Sequence, residues 1–253
     1  MALPTAKNKI KTDIRDLVTL IYGAPKIGKS TFCSNADGAI FLATEPGLSF
    51  LEVYSVDVQS WADFAGVYKE LAAGNHQFRT VVIDTIDNLY KMCVEYVLGK
   101  KHVEHQSDLE YGKGYDLVNN EFHRRLRDLS LLPYGVMMTS HSVEKEVKTR
   151  TGKETRIAPT LPGSARRTVL GMCDFIFYAE MQEVRNDREH ITGYERVIHT
   201  QPTTIYEAGN RSQFVLPDPL PLDYAAFTSA FADAVKQHNQ PSTPTATTQT
   251  GGK

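Results

Sequence analysis

No apolar stretch in this chain of 253 residues approaches the roughly 20 that a helix needs to cross a bilayer, so no membrane-spanning role is expected. The opening MALPTAKNKIKTDIRD also lacks the apolar centre of a secretory signal, and the expected location is the cytoplasm. Cysteine is scarce. Cys33, Cys93 and Cys173 stand far apart in apolar surroundings, without the spacing of a disulfide framework or a zinc site, and read as buried free thiols. Charge of neither sign is in excess: a net charge of −2 and a pI near 6.4 exclude a surface that coats nucleic acid as a whole and leave room only for a local basic patch. Large apolar side chains are missing after Asn239, where QPSTPTATTQTGGK cannot offset its ordering entropy, so 239–253 is expected to be a disordered tail. There is no internal repeat.

What remains, with 41% hydrophobic and 23% charged residues, suffices for one sizeable core or a core with a small appendage. Short apolar runs alternate with amphipathic stretches, the pattern of an α/β protein with a largely parallel central sheet and helices on both faces. Five runs read as core strands: Leu17 to Tyr22, Ala39 to Ala43, Thr80 to Asp84, Tyr134 to Ser140 and Asp174 to Ala179. Trp61, Phe64, Ala65, Tyr68, Leu71 and Ala72 repeat at helical spacing, as do Val118, Phe122, Leu126 and Leu129, and Ile86 to Leu98 reads as a helix between them. Met181 to Val184 and Tyr194 to His199 flank a turn and suggest an antiparallel edge hairpin, and Tyr224 to Gln237 a last helix. The expected division is an N-terminal extension over 1–16, a core over 17–238, and the tail.

The run Leu17 to Tyr22 leads into Gly23-Ala24-Pro25-Lys26-Ile27-Gly28-Lys29-Ser30, which fits G-x-x-x-x-G-K-[ST]. A strand that ends in such a turn leaves several backbone N–H groups facing inward, a cage for the β-phosphate of a nucleotide. Gly23 and Gly28 permit close backbone approach, Lys29 reaches the β- and γ-oxygens, Ser30 suits the inner shell of Mg²⁺, and Thr31 is placed to touch the α-phosphate. Val81-Val82-Ile83-Asp84 then puts a carboxylate at the end of a buried strand. Asp84 is expected to hold Mg²⁺ through water, the alternative being a helix N-cap, and Asp87 is read as capping the following helix.

Hydrolysis also needs a group that deprotonates or orients water. Thr85, not a glutamate, follows Asp84, so the candidate base is Glu45, fixed by the sharp exit Thr44-Glu45-Pro46-Gly47 at the end of the second strand. The alternative is an exposed turn glutamate. His141, after the fourth core strand, could feel the γ-phosphate or be an ordinary loop histidine.

These motifs, in this order, resemble the RecA-type ATPase core. The stretches GAPKIGKST, VVIDTIDNLYK, YGKGYD, SHSVEKEVKTRTG, PTLPGSARR and YEAG are similar to phage-encoded P-loop proteins made of little more than that core, over about Leu17 to Tyr224. The resemblance implies a RecA-like P-loop NTPase fold, ATP and Mg²⁺ as ligands, slow or DNA-stimulated hydrolysis, and a role in phage recombination or annealing on single-stranded DNA. It implies a host-cytoplasm location, a homo-oligomer and a phage or host single-strand-binding protein as a partner.

Cores of this type carry two DNA-facing loops. The second falls at His141 to Arg167, where Lys145, Lys148, Arg150, Lys153, Arg156, Arg166 and Arg167 stand against Glu144, Glu146 and Glu154, an excess of four positive charges in a chain that is negative overall. Lys145, Lys148, Arg150, Lys153 and Arg156 are the candidate DNA contacts; the alternative is a hairpin whose charges merely keep it soluble. The first, from Gly99-Lys100-Lys101-His102 through Tyr111-Gly112-Lys113-Gly114-Tyr115, offers tyrosines for packing or for stacking on bases. His102 and His105 lack the partners of a metal site and read as a polar helix end. Arg211, in Gly209-Asn210-Arg211, is a candidate to act on a neighbouring subunit's γ-phosphate, or a surface turn residue. Two rival readings are a nucleotide-dependent binding module without catalysis and a P-loop kinase of a small acceptor.

Overall fold

The structure, a computed structural model, describes residue 3 and residues 5–109, 112–148 and 152–239, with the backbone alone at Lys148. Tyr111, Arg150 and the tail beyond Asn239 lie outside the described residues.

In chain order the elements are β1 (Val18–Gly23), α1 (Lys29–Ser34), β2 (Ala39–Ala43), β3 (Tyr54–Asp57), α2 (Trp61–Ala73), β4 (Thr80–Asp84), α3 (Ile86–Lys101), α4 (Lys113–Ser130), β5 (Gly135–Lys148) and β6 (Lys153–Pro159). They continue with α5 (Gly163–Met172), β7 (Phe175–Arg185), β8 (Ile191–His199), β9 (Gly209–Asn210), β10 (Leu220–Pro221) and α6 (Tyr224–Asn239). The strand order is β10-β8-β7-β1-β5-β4-β2-β3, with β6 paired to β5 and β9 to β7. From β7 to β3 all neighbours are parallel, and β8 and β10 add an antiparallel edge. This is the RecA-like P-loop arrangement: β5 separates β1 from β4, so the phosphate loop and the Asp84 strand tip sit on either side of it.

Alternation along the strands builds two cores. Leu20 and Tyr22 of β1, Val81 and Ile83 of β4, and Val136 and Met138 of β5 face α2, α3, α4 and α5 through Phe64, Leu89, Phe122 and Val169. Ile21, Val82 and Met137 face the other way, onto Phe32 and Cys33 of α1 and Phe227 and Phe231 of α6. The three cysteines are buried free thiols, as expected; burial raises the Cys33 and Cys173 thiols and pushes Cys93 up to about 12. Among the described residues no helix is long and apolar enough to cross a membrane.

The five expected core strands are all present. Several boundaries differ. β5 does not stop at Ser140 but runs on to Lys148, because its second half pairs with β6 from Ser142↔Pro159 to Lys148↔Lys153. β7 likewise runs unbroken to Arg185 by pairing with β8. The stretch expected to be a loop from Gly99 to Tyr115 begins as the last turn of α3 and ends as the first turn of α4, with His102 as the left-handed C-cap of α3. β3 and α5 have no counterpart among the expected elements, whereas β6 completes the hairpin that is the alternative reading of the basic segment. β3 is exposed at all four positions, so it lacks the apolar run that marks a buried strand.

Candidate functional site

The side chains of the candidate site stand at or just beyond the C-terminal ends of β1, β2 and β4, in the first turn of α3, and in β5 where it passes level with those ends. Gly23 ends β1 in register with Ala179 of β7, and a side chain there would drive its Cβ into the Ala179 carbonyl oxygen. Gly28, at φ 117°, turns the loop into α1 in a conformation that L side chains rarely adopt. Ala24, Pro25 and Lys26 are exposed on the loop, whereas Ile27 is buried and fastens it to the α1 side of the core.

Lys29 is buried, and its ammonium donates to the carbonyls of Gly23 at 3.0 Å and Ala24 at 2.9 Å. Burial lowers its pKa from the ordinary 10.5, opposed by the negative charges of Asp84, Asp87 and Glu45. An ammonium held this deep by two loop carbonyls is poised to exchange them for phosphate oxygens.

The Ser30 hydroxyl donates to Asp84 Oδ2 at 2.7 Å, and Thr139 of β5 donates to Asp84 Oδ1. Asp84 is therefore engaged across the strand tips and is not the N-cap of α3, which is Thr85, without a capping side-chain bond. Asp87 is not a cap either. It sits buried in the first turn of α3 and accepts from the Ser140 hydroxyl and the His141 N–H, each at 2.9 Å. Burial raises its carboxyl pKa, against the pull of those two bonds.

Glu45 accepts from Asn88 Nδ2 at 2.7 Å through Oε2, and its Oε1 lies 3.3 Å from His141 Nε2. About a third of each of the Glu45 and His141 side chains is open to solvent, enough for a water to reach the carboxylate. His141 is not a loop residue: it lies within β5, in register with Gly23, and its Nδ1 is buried without a hydrogen-bond partner. Thr44 locks the β2 exit in place by bonding both the N–H and the carbonyl of Thr85, at 2.8 and 2.9 Å. Asn88, Thr139, Ser140 and Thr44 do not stand out in the sequence; for the last three the available signal is a polar residue closing an otherwise apolar run.

Pro25, Lys26, Gly28 to Thr31, Glu45, Pro46, Gly47, Phe50, Leu51, Asp84, Thr85 and His141 line one cleft of about 530 Å³. That volume and this donor set suit a nucleoside triphosphate. Among the described residues no three His, Cys, Asp or Glu side chains gather into a metal cage, so a divalent ion beside Ser30 and Asp84 would draw its other ligands from phosphate and water.

The basic candidates are arranged differently. The β5–β6 register places Lys145 directly opposite Arg156, and Lys148 opposite Lys153. Alternation puts Lys153 on the opposite face of the ribbon from Lys145 and Arg156, so these candidates do not form one patch. Lys153 pairs with Glu146 at 2.6 Å. Lys145 is half-buried, and burial first, then the charge of Arg166 on α5, lowers its pKa. Arg166 lies 3.9 Å from Glu207. Lys145, Arg156 and Arg166 thus form the more concentrated group. Tyr22, next to the phosphate loop, reaches the base of this ribbon: its hydroxyl donates to the carbonyl of Glu207 at 2.7 Å and lies 3.4 Å from that of Ile157. Arg211 is at the other pole of the molecule, where its N–H bonds the Asp174 carbonyl and its guanidinium the Gly171 carbonyl, beside a separate cleft of about 570 Å³.

Three comparisons bear on this geometry. The family model described as AAA domain matches residues 15–212. The SPbeta prophage-derived uncharacterized protein YorG of Bacillus subtilis (strain 168) is 24% identical over 231 residues, covering 88% of this chain and 68% of that one. Among solved structures, the KaiC-like protein PH0186 from Pyrococcus horikoshii OT3 is similar at a TM-score of 0.45 and 14% identity, over 82% of this chain and 85% of that one.

Proposed function

Because this chain belongs to the AAA domain family, with a prophage-derived relative and a P-loop core, we propose that it hydrolyses ATP·Mg²⁺ and couples turnover to single-stranded DNA. The observation that carries the catalytic part is Glu45, held between Asn88 and His141 on the rim of the cleft that also contains Lys29, Ser30 and Asp84.

Lys29 gives up the carbonyls of Gly23 and Ala24 and binds β- and γ-oxygens, while the loop amides hold the β-phosphate. Ser30 and Asp84, already in hydrogen-bond contact, would hold Mg²⁺, which would supply positive charge against that developing on the phosphates. Glu45 orients water and accepts its proton, and Asn88 and His141 fix the direction of the carboxylate.

The DNA part rests on the ribbon. Like charges directly opposite on a strand pair destabilise it, and β5–β6 sets Lys145 opposite Arg156. A polyanion against Lys145, Arg156 and Arg166 relieves that repulsion. Arg211, remote from its own cleft, serves a neighbouring subunit in a homo-oligomer, and a phage or host single-strand-binding protein delivers the strand. Phosphate release measured with and without single-stranded DNA, in wild type and Glu45→Gln, tests the proposal. Release in wild type, faster with DNA and lost in the variant, is expected; DNA affinity that changes with ATP while no phosphate is released would establish the binding-module reading instead.

A further inference from the structure

The β7–β8 hairpin extends past the end of β1. Gly23 is level with Ala179 on β7, and the next pairs outward are Glu180↔Val197 and Met181↔Arg196, so Arg196 stands beyond the strand tip on the phosphate-loop side. Its main chain is anchored, because the Arg196 carbonyl accepts from the Leu222 N–H at 2.9 Å. Both side chains then lean on the loop. A Cβ built on Gly28 would lie 3.3 Å from Leu222 Cδ2 and 3.8 Å from Arg196 Nη1.

The guanidinium has no ion-pair or hydrogen-bond partner among the described residues. The contrast lies further out on the same hairpin, where Arg185 is tied to Glu183 at 2.6 Å and to the Glu189 carbonyl. A free cation beside a loop that already contains the buried Lys29 gains nothing from the protein around it. An anion in the loop would give it a partner, and a planar guanidinium matches two phosphate oxygens at once.

We propose that Arg196 is a nucleotide ligand in cis, its guanidinium closing over the phosphate chain held at Gly28. The inference rests on the nucleotide-binding reading of the loop and adds a ligand from an element outside the motif. The hairpin thereby carries a cation to the flank of the loop that β4 and β5 do not reach.

The test is calorimetric titration of the full chain with Mg·ATP and with Mg·ADP, in wild type, Arg196→Ala, Arg196→Lys and the control Arg188→Ala at the hairpin turn. Removal of one charge-assisted hydrogen bond is expected to weaken Arg196→Ala by about tenfold or more. Arg196→Lys should fall between, and Arg188→Ala should match wild type. Equal weakening for both nucleotides puts the guanidinium on the phosphates they share, and weakening with ATP alone puts it on the third. Arg196→Ala binding like wild type, or Arg188→Ala weakening as much, overturns the inference. A wild type that takes up neither nucleotide instead overturns the reading of the loop. Unchanged melting of nucleotide-free Arg196→Ala will show that the fold is intact, as expected for a side chain without protein partners.

Discussion

The phosphate-loop cleft and the β5–β6 ribbon both collect charged side chains, yet they hold them in opposite ways. In the cleft Lys29 and Asp84 are buried, and the carboxylates are pinned by groups from other segments: Asp84 by Ser30 and Thr139, Asp87 by Ser140 and His141, Glu45 by Asn88. On the ribbon the charges alternate between two faces of a strand pair that is half-buried at Lys145 and Arg156 and exposed further out, where Lys153 is already matched by Glu146. Burial makes an unpaired charge costly, so each buried group must find a partner and its place becomes unique. Exposure imposes no such condition, and the same number of charges defines no single geometry.

The largest expected effect belongs to the cleft. Lys29→Ala should weaken ATP binding by about 100-fold or more, since it removes charge-assisted bonds to two phosphates; measurable ATP uptake near the wild-type level would break the contrast between cleft and ribbon. Next comes Glu45→Gln, expected to keep ATP affinity and lose about 10²- to 10⁴-fold in turnover, read by single-turnover phosphate release. Equal turnover would remove Glu45 from the mechanism. On the ribbon a smaller and divided response is expected: Lys145→Ala with Arg156→Ala should weaken single-stranded DNA binding several-fold, and lower the salt slope by about 0.7 for each phosphate no longer neutralised. Lys153→Ala, on the other face and paired with Glu146, should do less; equal weakening from both faces would mean the ribbon is read as a whole.

The smallest effect is on stability and has a definite sign. Lys29 titrates in the fold below its ordinary 10.5, because burial disfavours the ammonium. Between the two values the unfolded chain binds more protons than the folded one, so the nucleotide-free protein should gain stability as pH rises through that window. Lys29→Met should flatten this rise and should not lower the melting temperature of the nucleotide-free protein at neutral pH. A clear destabilisation would show that the two loop carbonyls outweigh the cost of burying the charge.

The order of motifs and the five apolar runs are enough to read the sheet, because strands buried on both faces must be short and apolar, and a phosphate loop must follow one of them. β3 is silent in the sequence since none of Tyr54, Ser55, Val56 or Asp57 is buried, and a strand held mainly by its backbone ladder to β2 leaves little trace in composition. Lys29, Ser30, Asp84 and Glu45 converge on one cleft because each ends a buried strand, follows one directly or begins the helix after it. Asp87 misleads for a local reason: an acid at the start of a helix usually caps it, but this one is drawn inward by Ser140 and His141 of a strand more than fifty residues on. Arg196 falls within the expected edge hairpin, but nothing along the chain tells that β7 will pair with β1, so its place beside Gly28 is not legible.

β5 runs without a break from the partners of Asp84, Asp87 and Glu45, which are Thr139, Ser140 and His141, out to Lys148. A pleated strand neither stretches nor compresses appreciably, so it transmits tilt as a stiff rod does. From His141 outward it is about 23 Å long at ~3.3 Å per residue, and a tilt of about 10° at His141 would sweep its far end through about 4 Å. A small rearrangement around Glu45 would thus be magnified to a displacement of about 4 Å at the outer tip.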